Sequence, residues 1–239
     1  MPFRRLLHLA PLGLGLALCG CPNPNTYTVP RTLVPGDVQA TVAPEVFGYS
    51  YKGSGGTSTG AMPTGPTFGF RYGVSDGVDV GARLSSMFSP TVDGKLQVVR
   101  GVVDVAVDPG LQLLYVEVPR PSGNSQATLS AAVLQLYAPV LVGLNLSPSL
   151  TLVASPGVGY SAGTAKVNSS SDAVTAAQAV GFSGRLGLGL DIRTSEHFAI
   201  HPEVTLMRVF DDAQSLIGVV GLGVNIGPMP DYADLGPIE

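Results

Sequence analysis

The chain has 239 residues, enough for one or two domains, with 13% charged residues, 45% hydrophobic residues and a formal net charge of −4. Charge at about half the usual globular share, with a mean hydropathy of +0.32, excludes an ordinary soluble surface; the apolar content excludes the disorder that 31 glycines and 20 prolines would otherwise suggest. The mild acidic balance disfavours nucleic acid and other polyanionic partners.

The chain opens on Arg4 and Arg5, followed by an apolar run from Leu6 to Leu18 broken only by His8 and Pro11. That is the charged and hydrophobic pair of regions of a secretory leader, too short to span a bilayer as a helix. Both cysteines of the chain lie at its end, in LALCGCPNPN. Leu18-Cys19-Gly20-Cys21 resembles the bacterial lipobox: an aliphatic residue, two small residues, then a cysteine that is lipidated and becomes the new N-terminus. The resemblance implies a signal peptide over residues 1–20, lipidation of Cys21, loss of Cys19, and processing by the lipoprotein machinery. Cys19 is the poorer acceptor, because it would put Leu18 where a small residue belongs. A Cys19–Cys21 disulfide would have poor geometry across one residue. Acyl chains on Cys21, at about 0.8 kcal/mol per buried methylene, would hold the N-terminus at a membrane. In lipoproteins an Asp after the cysteine often signals inner-membrane retention; Pro22 stands there, leaving the outer membrane open.

Residues 21–35, rich in Pro, Asn and Thr, read as an extended lipidated tether. From Val38 to Ile226 the pattern has a period of two. In FSGRLGLGLDI, Phe182, Leu186, Leu188, Leu190 and Ile192 share one face and Ser183, Arg185, Gly187, Gly189 and Asp191 the other. Val78–Phe88 and Leu150–Tyr160 alternate in the same way, and helical periodicity is absent. About ten strands are predicted, near residues 37–51, 66–74, 78–88, 95–107, 111–118, 128–143, 150–162, 177–192, 197–209 and 216–226. Tight turns are expected at Ser75-Asp76-Gly77, Asp108-Pro109-Gly110, Asn145–Ser149 and Thr194-Ser195-Glu196. Longer polar loops are expected over 52–65, 120–127 and 163–175.

Short turns at one end and long connections at the other are the habit of outer-membrane barrels, whose short turns face the periplasm. Phe198 and Phe210, twelve residues apart on one face, would stand roughly 30 Å apart along the membrane normal, enough to reach both interfaces. Phe88, Tyr160 and Phe182 take girdle positions at the long-loop end. Arg208 shares the lipid face and would snorkel at the outer rim. With these features the chain resembles a small bacterial outer-membrane β-barrel joined to a lipoprotein signal. The resemblance implies an all-β, antiparallel, up-and-down transmembrane barrel of about ten strands (between roughly 8 and 12) over residues 36–227, with a Pro-rich periplasmic tail over 228–239. It implies residence in the outer membrane of a Gram-negative bacterium with the N-terminus lipid-anchored on the periplasmic side. The expected partners are outer-membrane lipid, the lipoprotein-processing and barrel-assembly machineries, and an unidentified extracellular ligand. The tail departs from barrels that end on an aromatic residue of the last strand.

The inward faces would hold Glu45, Arg71, Asp79, Arg83, Arg100, Asp104, Arg185, Asp191 and Glu203. In a lumen this narrow, opposite charges must pair, so these residues read as salt-bridged filler, with a selective channel as the sharper alternative. No motif asks for a cofactor. His197 and His201 would share a strand face about 13 Å apart, too far to hold one metal ion. His201 beside Glu203, with serines available, makes a lipid-modifying hydrolase on a barrel scaffold conceivable, but no segment matches such a family; a non-enzymatic structural, adhesion or narrow-pore role is the leading reading. A third reading turns the faces over: a periplasmic, lipocalin-like lipoprotein carrying an apolar ligand, with charged faces outward. Alternation alone is symmetric to that inversion.

Overall fold

The zigzag of the sequence closes on itself. In the computed structural model of the chain, which describes residues 23–53, 56–85, 89–122, 125–168, 173–210 and 215–235, antiparallel strands form a single sheet whose ends meet. They are β1 (Val38–Ala43), β2 (Glu45–Gly53), β3 (Gly56–Pro63), β4 (Thr67–Ser75), β5 (Val78–Ser85), β6 (Ser89–Val99), β7 (Val103–Val107), β8 (Gly110–Ser122), β9 (Ser125–Ser147), β10 (Leu150–Asn168), β11 (Ala173–Ser195), β12 (Phe198–Val209) and β13 (Leu216–Ile226).

Three pairs of these are single staves with a break, so the thirteen strands make a ten-stave barrel. β1 and β2, separated by Pro44, both lie against β13, and the β1–β13 ladder closes the cylinder. β3 and β4 follow one another beside β2 and β1. β7 and β8, separated by Asp108 and Pro109, lie together between β6 and β9. A proline lacks the N–H a ladder needs but keeps its acceptor. Leu222 N–H donates to Pro44 O at 3.1 Å, and Gly94 N–H to Pro109 O at 3.0 Å, so the register survives each break.

The second of these breaks corrects the sequence reading. Asp108-Pro109-Gly110 is not a turn. The reversal comes earlier, over residues 100–102 between β6 and β7, and the strand expected over 95–107 ends at Val99. The polar stretches expected as long loops are largely ladder: β2 pairs β3 up to Gly53↔Gly56, β8 pairs β9 to Ser122↔Ser125, and β10 pairs β11 to Asn168↔Ala173. β9 and β11 run for 23 residues each, about twice the 9–11 residues a tilted strand needs to cross a bilayer. Among the described residues, β11 has no β12 partner beyond Ser183↔Val209, and β8 has no β6 partner beyond Thr91↔Gln112. The upper parts of β8, β9, β10 and β11 therefore continue as a four-stranded blade above the barrel. The β5–β6 hairpin is the lowest stretch of wall, its ladder ending at Ser85↔Ser89.

The faces point one way throughout. Phe70, Val80, Leu136, Val158, Leu186, Leu206 and Val220 are exposed on the outer wall, while Asp79, Asp104, Thr151, Asp191, Glu203 and Thr205 are buried inside. This decides the inversion: apolar residues face out and charges face in, the reverse of a ligand-carrying lipocalin. Phe198, Phe210, Tyr160 and Phe182 lie on the outer wall, Tyr160 and Phe182 with ring centroids 5.1 Å apart. Arg208 also points outward, in a row with Gly184 and Leu216. Phe88 lies outside the described residues.

Candidate functional site

The lumen is the site, and its main occupant is the chain itself. Residues 23–35 form neither strand nor helix, and they do not hang below the barrel: Asn25, Thr26, Tyr27, Thr28, Val29, Arg31, Thr32 and Leu33 are all buried. The segment enters from the short-turn mouth, where Gly36 N–H donates to Gly73 O at 2.9 Å, and runs up the inside of the wall. Thirteen residues of free peptide carry many polar backbone groups with no ladder to join, and burying them unpaired would be costly. Wall side chains satisfy them. Glu203 accepts from Thr26 N–H at 3.0 Å and from Tyr27 N–H at 2.6 Å. Lys95 Nζ donates to Val29 O at 2.8 Å and to Arg31 O at 3.0 Å. Gln97 accepts from Thr32 N–H at 3.1 Å, and Asn225 donates to Tyr27 O at 3.3 Å.

Tyr27 is the pivot of this segment. Its φ of 51° lies in the left-handed region, a conformation that costs a non-glycine residue roughly 1–2 kcal/mol. The surroundings hold it there. Its hydroxyl donates to Glu45 at 2.5 Å and accepts from Asn25 at 2.7 Å, and its ring lies over a floor of glycine. A β-carbon at Gly223 would meet the Tyr27 ring at 2.8 Å, and one at Gly73 would meet Val34 O at 2.3 Å. These glycines fall at inward positions of β13 and β4, and their missing side chains are the space the segment occupies.

Part of the wall charge forms a balanced cluster. Arg71 contacts Asp79, Asp93 and, at 3.6 Å, Asp108; Arg83 lies 3.4 Å from Asp93; Lys95 lies 3.1 Å from Asp79. Three cations thus face three carboxylates on β4, β5 and β6 and at the β7–β8 break. Glu45 also accepts from Asn23 at 2.7 Å and Thr67 at 2.9 Å. Asp104 accepts from Arg31 at 2.8 Å and Asn145 at 2.7 Å. Asp191 pairs with Arg193 at 2.5 Å, and Arg185 lies 4.0 Å from Glu203.

Of the nine residues read from sequence as lumen charges, Glu45, Arg71, Asp79, Arg83, Asp104, Arg185, Asp191 and Glu203 face inward, each touching another polar group of the wall or the N-terminal segment. Arg100 does not. It sits in the β6–β7 turn, half exposed, and its guanidinium meets Asp231 at 3.0 Å; the parity shared with Asp104 breaks because the chain reverses between them. Four wall charges were missed. Asp93, Lys95 and Asp108 fall where the strand bounds and the turn were misplaced, and parity from Ser89 would have aligned the first two. Arg193 is the other. His201, read from sequence as a face-mate of Glu203, does face inward. His201 Nδ1 lies 3.3 Å from Asp191, and Tyr27 packs on the ring edge-to-face at 6.4 Å. With 0% exposure, His201 is packed into the wall between Asp191, Glu203 and Tyr27. His197, its expected face-mate, is exposed in the turn.

The C-terminal tail closes the short-turn mouth. Tyr232 is buried between two guanidinium groups, 3.7 Å from Arg193 and 4.2 Å from Arg31. Arg31 also pairs with Asp234 at 2.5 Å in a short 3-10 turn over Ala233–Leu235. The Arg31 guanidinium beside Asp234 holds its carboxyl below the usual carboxylate range, and burial pushes the Tyr232 phenol up. One residue of the N-terminal segment therefore ties wall, plug and tail together. At the other end, the void beside Asn23, Pro24 and Tyr137 measures ≈ 10 Å³, about the space of one water.

No protein-family model matches the chain, and no curated protein matches it. The solved structures to which it is similar include outer-membrane barrel proteins. The attachment invasion locus protein Ail of Yersinia pestis is 12% identical over 81% of this chain and 99% of that one, with a TM-score of 0.41. The outer membrane protease OmpT from Escherichia coli is 7% identical over 82% and 98%, with a TM-score of 0.49. The translocator domain of the autotransporter NalP from Neisseria meningitidis is 11% identical over 80% and 88%, with a TM-score of 0.46. The fold assignment stands on the closed ladder of this chain.

Proposed function

We propose that this protein is a plugged outer-membrane barrel of a Gram-negative bacterium, lipidated on Cys21, whose role is structural and recognitional rather than transport. The observation that carries the reading is the occupied lumen: among the described residues, a buried peptide segment bonded to wall carboxylates lies where a solute path would run. The apolar outer wall supports membrane residence, since lipid is the medium in which such a surface is stable. Recognition belongs to the blade, the continuation of β8, β9, β10 and β11 above the barrel, since binding residues collect on outward segments held by a rigid scaffold. The extracellular ligand would bind there. The lipoprotein-processing and barrel-assembly machineries act on the chain during biogenesis.

The test is purified protein in planar bilayers, with its barrel state checked by different gel mobility before and after boiling. The reading predicts a heat-modifiable protein without conductance. Stable single-channel currents from the intact chain would overturn it.

A further inference from the structure

The N-terminal segment has a direction, and the direction has a consequence. Contacts along β5, which climbs from the short-turn mouth at Val78 to Ser85, track it: Leu33 N–H reaches Asp79 at 3.4 Å, Arg83 donates to Asn25 O, and Asn23 reaches Ser85 Oγ at 3.4 Å. The path from residue 33 to residue 23 thus runs toward the blade end. Asn23 and Pro24 also line a void with Ser183 and Met207. Ser183 pairs with Val209, and the neighbours of these two, Phe182 and Phe210, form the outer aromatic row. Asn23 also donates to Glu45 at 2.7 Å and to Thr67 at 3.2 Å, so it stands inside the wall, level with the top of the β5–β6 ladder and far from the short-turn mouth. Beside it is Ser85, at the top of the β5–β6 ladder, the lowest ladder end among the described residues. The neighbouring staves continue higher, to Gly56 on one side and Ser122 on the other.

Cys21 is two peptide links before Asn23, within about 7–8 Å of it at full extension. From there it cannot reach the leaflet at the short-turn mouth, which twelve residues of chain separate from Asn23. We propose that the barrel delivers its own N-terminus to the outward face, over the low rim at Ser85 and Ser89, so that acyl chains on Cys21 insert in the outer leaflet. This reverses the periplasmic anchoring expected from sequence. It rests on the reading of Cys21 as the acylated residue.

The test combines two independent readouts on the full-length chain in cells. Metabolic incorporation of a fatty-acid label, abolished in Cys21→Ser, reports acylation. Exposure of the N-terminus is read by an epitope inserted after Pro22, probed with antibody on intact cells and again after outer-membrane permeabilisation, with heat-modifiable mobility reporting that the barrel has formed. A second variant, Pro22→Cys, probed with a membrane-impermeant maleimide, makes the same measurement without an insertion. The expected result is fatty-acid label together with a signal on intact cells that permeabilisation raises less than twofold. Label with a signal that appears only after permeabilisation overturns the outward delivery. A surface signal without label upholds the path and overturns the acylation on which the anchoring half depends.

Discussion

Gly221 and Tyr27 approach so closely that a β-carbon on Gly221 would stand 1.9 Å from the Tyr27 hydroxyl oxygen. A barrel strand and a segment with the composition of a linker are thus fitted to one another. Gly221→Val should push Tyr27 off Glu45 and cost about 1–3 kcal/mol as an overpacking change. In the Tyr27→Ala background the same substitution should cost much less, because the ring it collides with is gone. Denaturant midpoints of the two single variants and the double variant check this. Additive losses would mean the two residues do not meet.

Glu203 accepts both the Thr26 and the Tyr27 backbone N–H. Hydrogen bonds to a charged group contribute roughly 1.5–3 kcal/mol each, so Glu203→Ala should destabilise the docked segment by about 3 kcal/mol or more. Hydrogen exchange of the Thr26 and Tyr27 amides is the direct readout: protected in the parent chain, fast in the variant, with the β-ladder amides unchanged.

Replacing residues 23–34 by a Gly/Ser spacer of equal length should open the lumen. The exposed wall would then carry Glu45, Asp79, Asp93, Asp104, Asp108, Asp191 and Glu203 against Arg71, Arg83, Lys95, Arg185 and Arg193. An excess of carboxylates favours cations in a narrow, low-dielectric channel. Planar bilayers should show conductance absent from the parent chain, with a reversal potential of cation sign in a salt gradient. An anion-selective or silent variant would contradict the assignment of these groups to the lumen.

The tail should undock in acid. Asp234 has a folded pKa lowered by Arg31, so its contribution is complete above the ordinary aspartate value of about 3.9 and is lost as pH falls through the depressed value. Protection of the Met229–Leu235 backbone, measured by hydrogen exchange with the intrinsic pH dependence removed, should be flat from neutral pH down to about 4 and then fall. Asp234→Asn should show weak protection with no such step.

The barrel was legible because alternation is local: each strand states its two faces within a few residues, as Phe182–Ile192 does. Inward charges such as Asp191 and Glu203 followed from the same parity. The plug was not legible, since nothing within residues 23–35 says what surrounds them; Pro and Asn give an extended chain in water and in a lumen alike. The signal lay elsewhere, in inward glycines such as Gly73, Gly221 and Gly223, which read as strand-packing residues until their neighbour is known. Asp108-Pro109-Gly110 misled because turn chemistry and a proline break in a stave use the same residues, and only the pairing of β6 with both β7 and β8 separates them.

The most direct measurement is disulfide trapping of the segment against the wall. An ideal β-carbon at Gly223 lies 3.0 Å from the Tyr27 β-carbon, a few tenths of an ångström inside the roughly 3.5–4.5 Å of a natural bridge. In a chain that keeps Cys21 for processing and carries Tyr27→Cys and Gly223→Cys, near-complete oxidation in the assembled barrel, seen as a cross-linked peptide by mass spectrometry, is the predicted result. Two free thiols, with the one introduced at position 27 open to an impermeant reagent from the periplasmic side, would mean that the lumen is not filled by this segment.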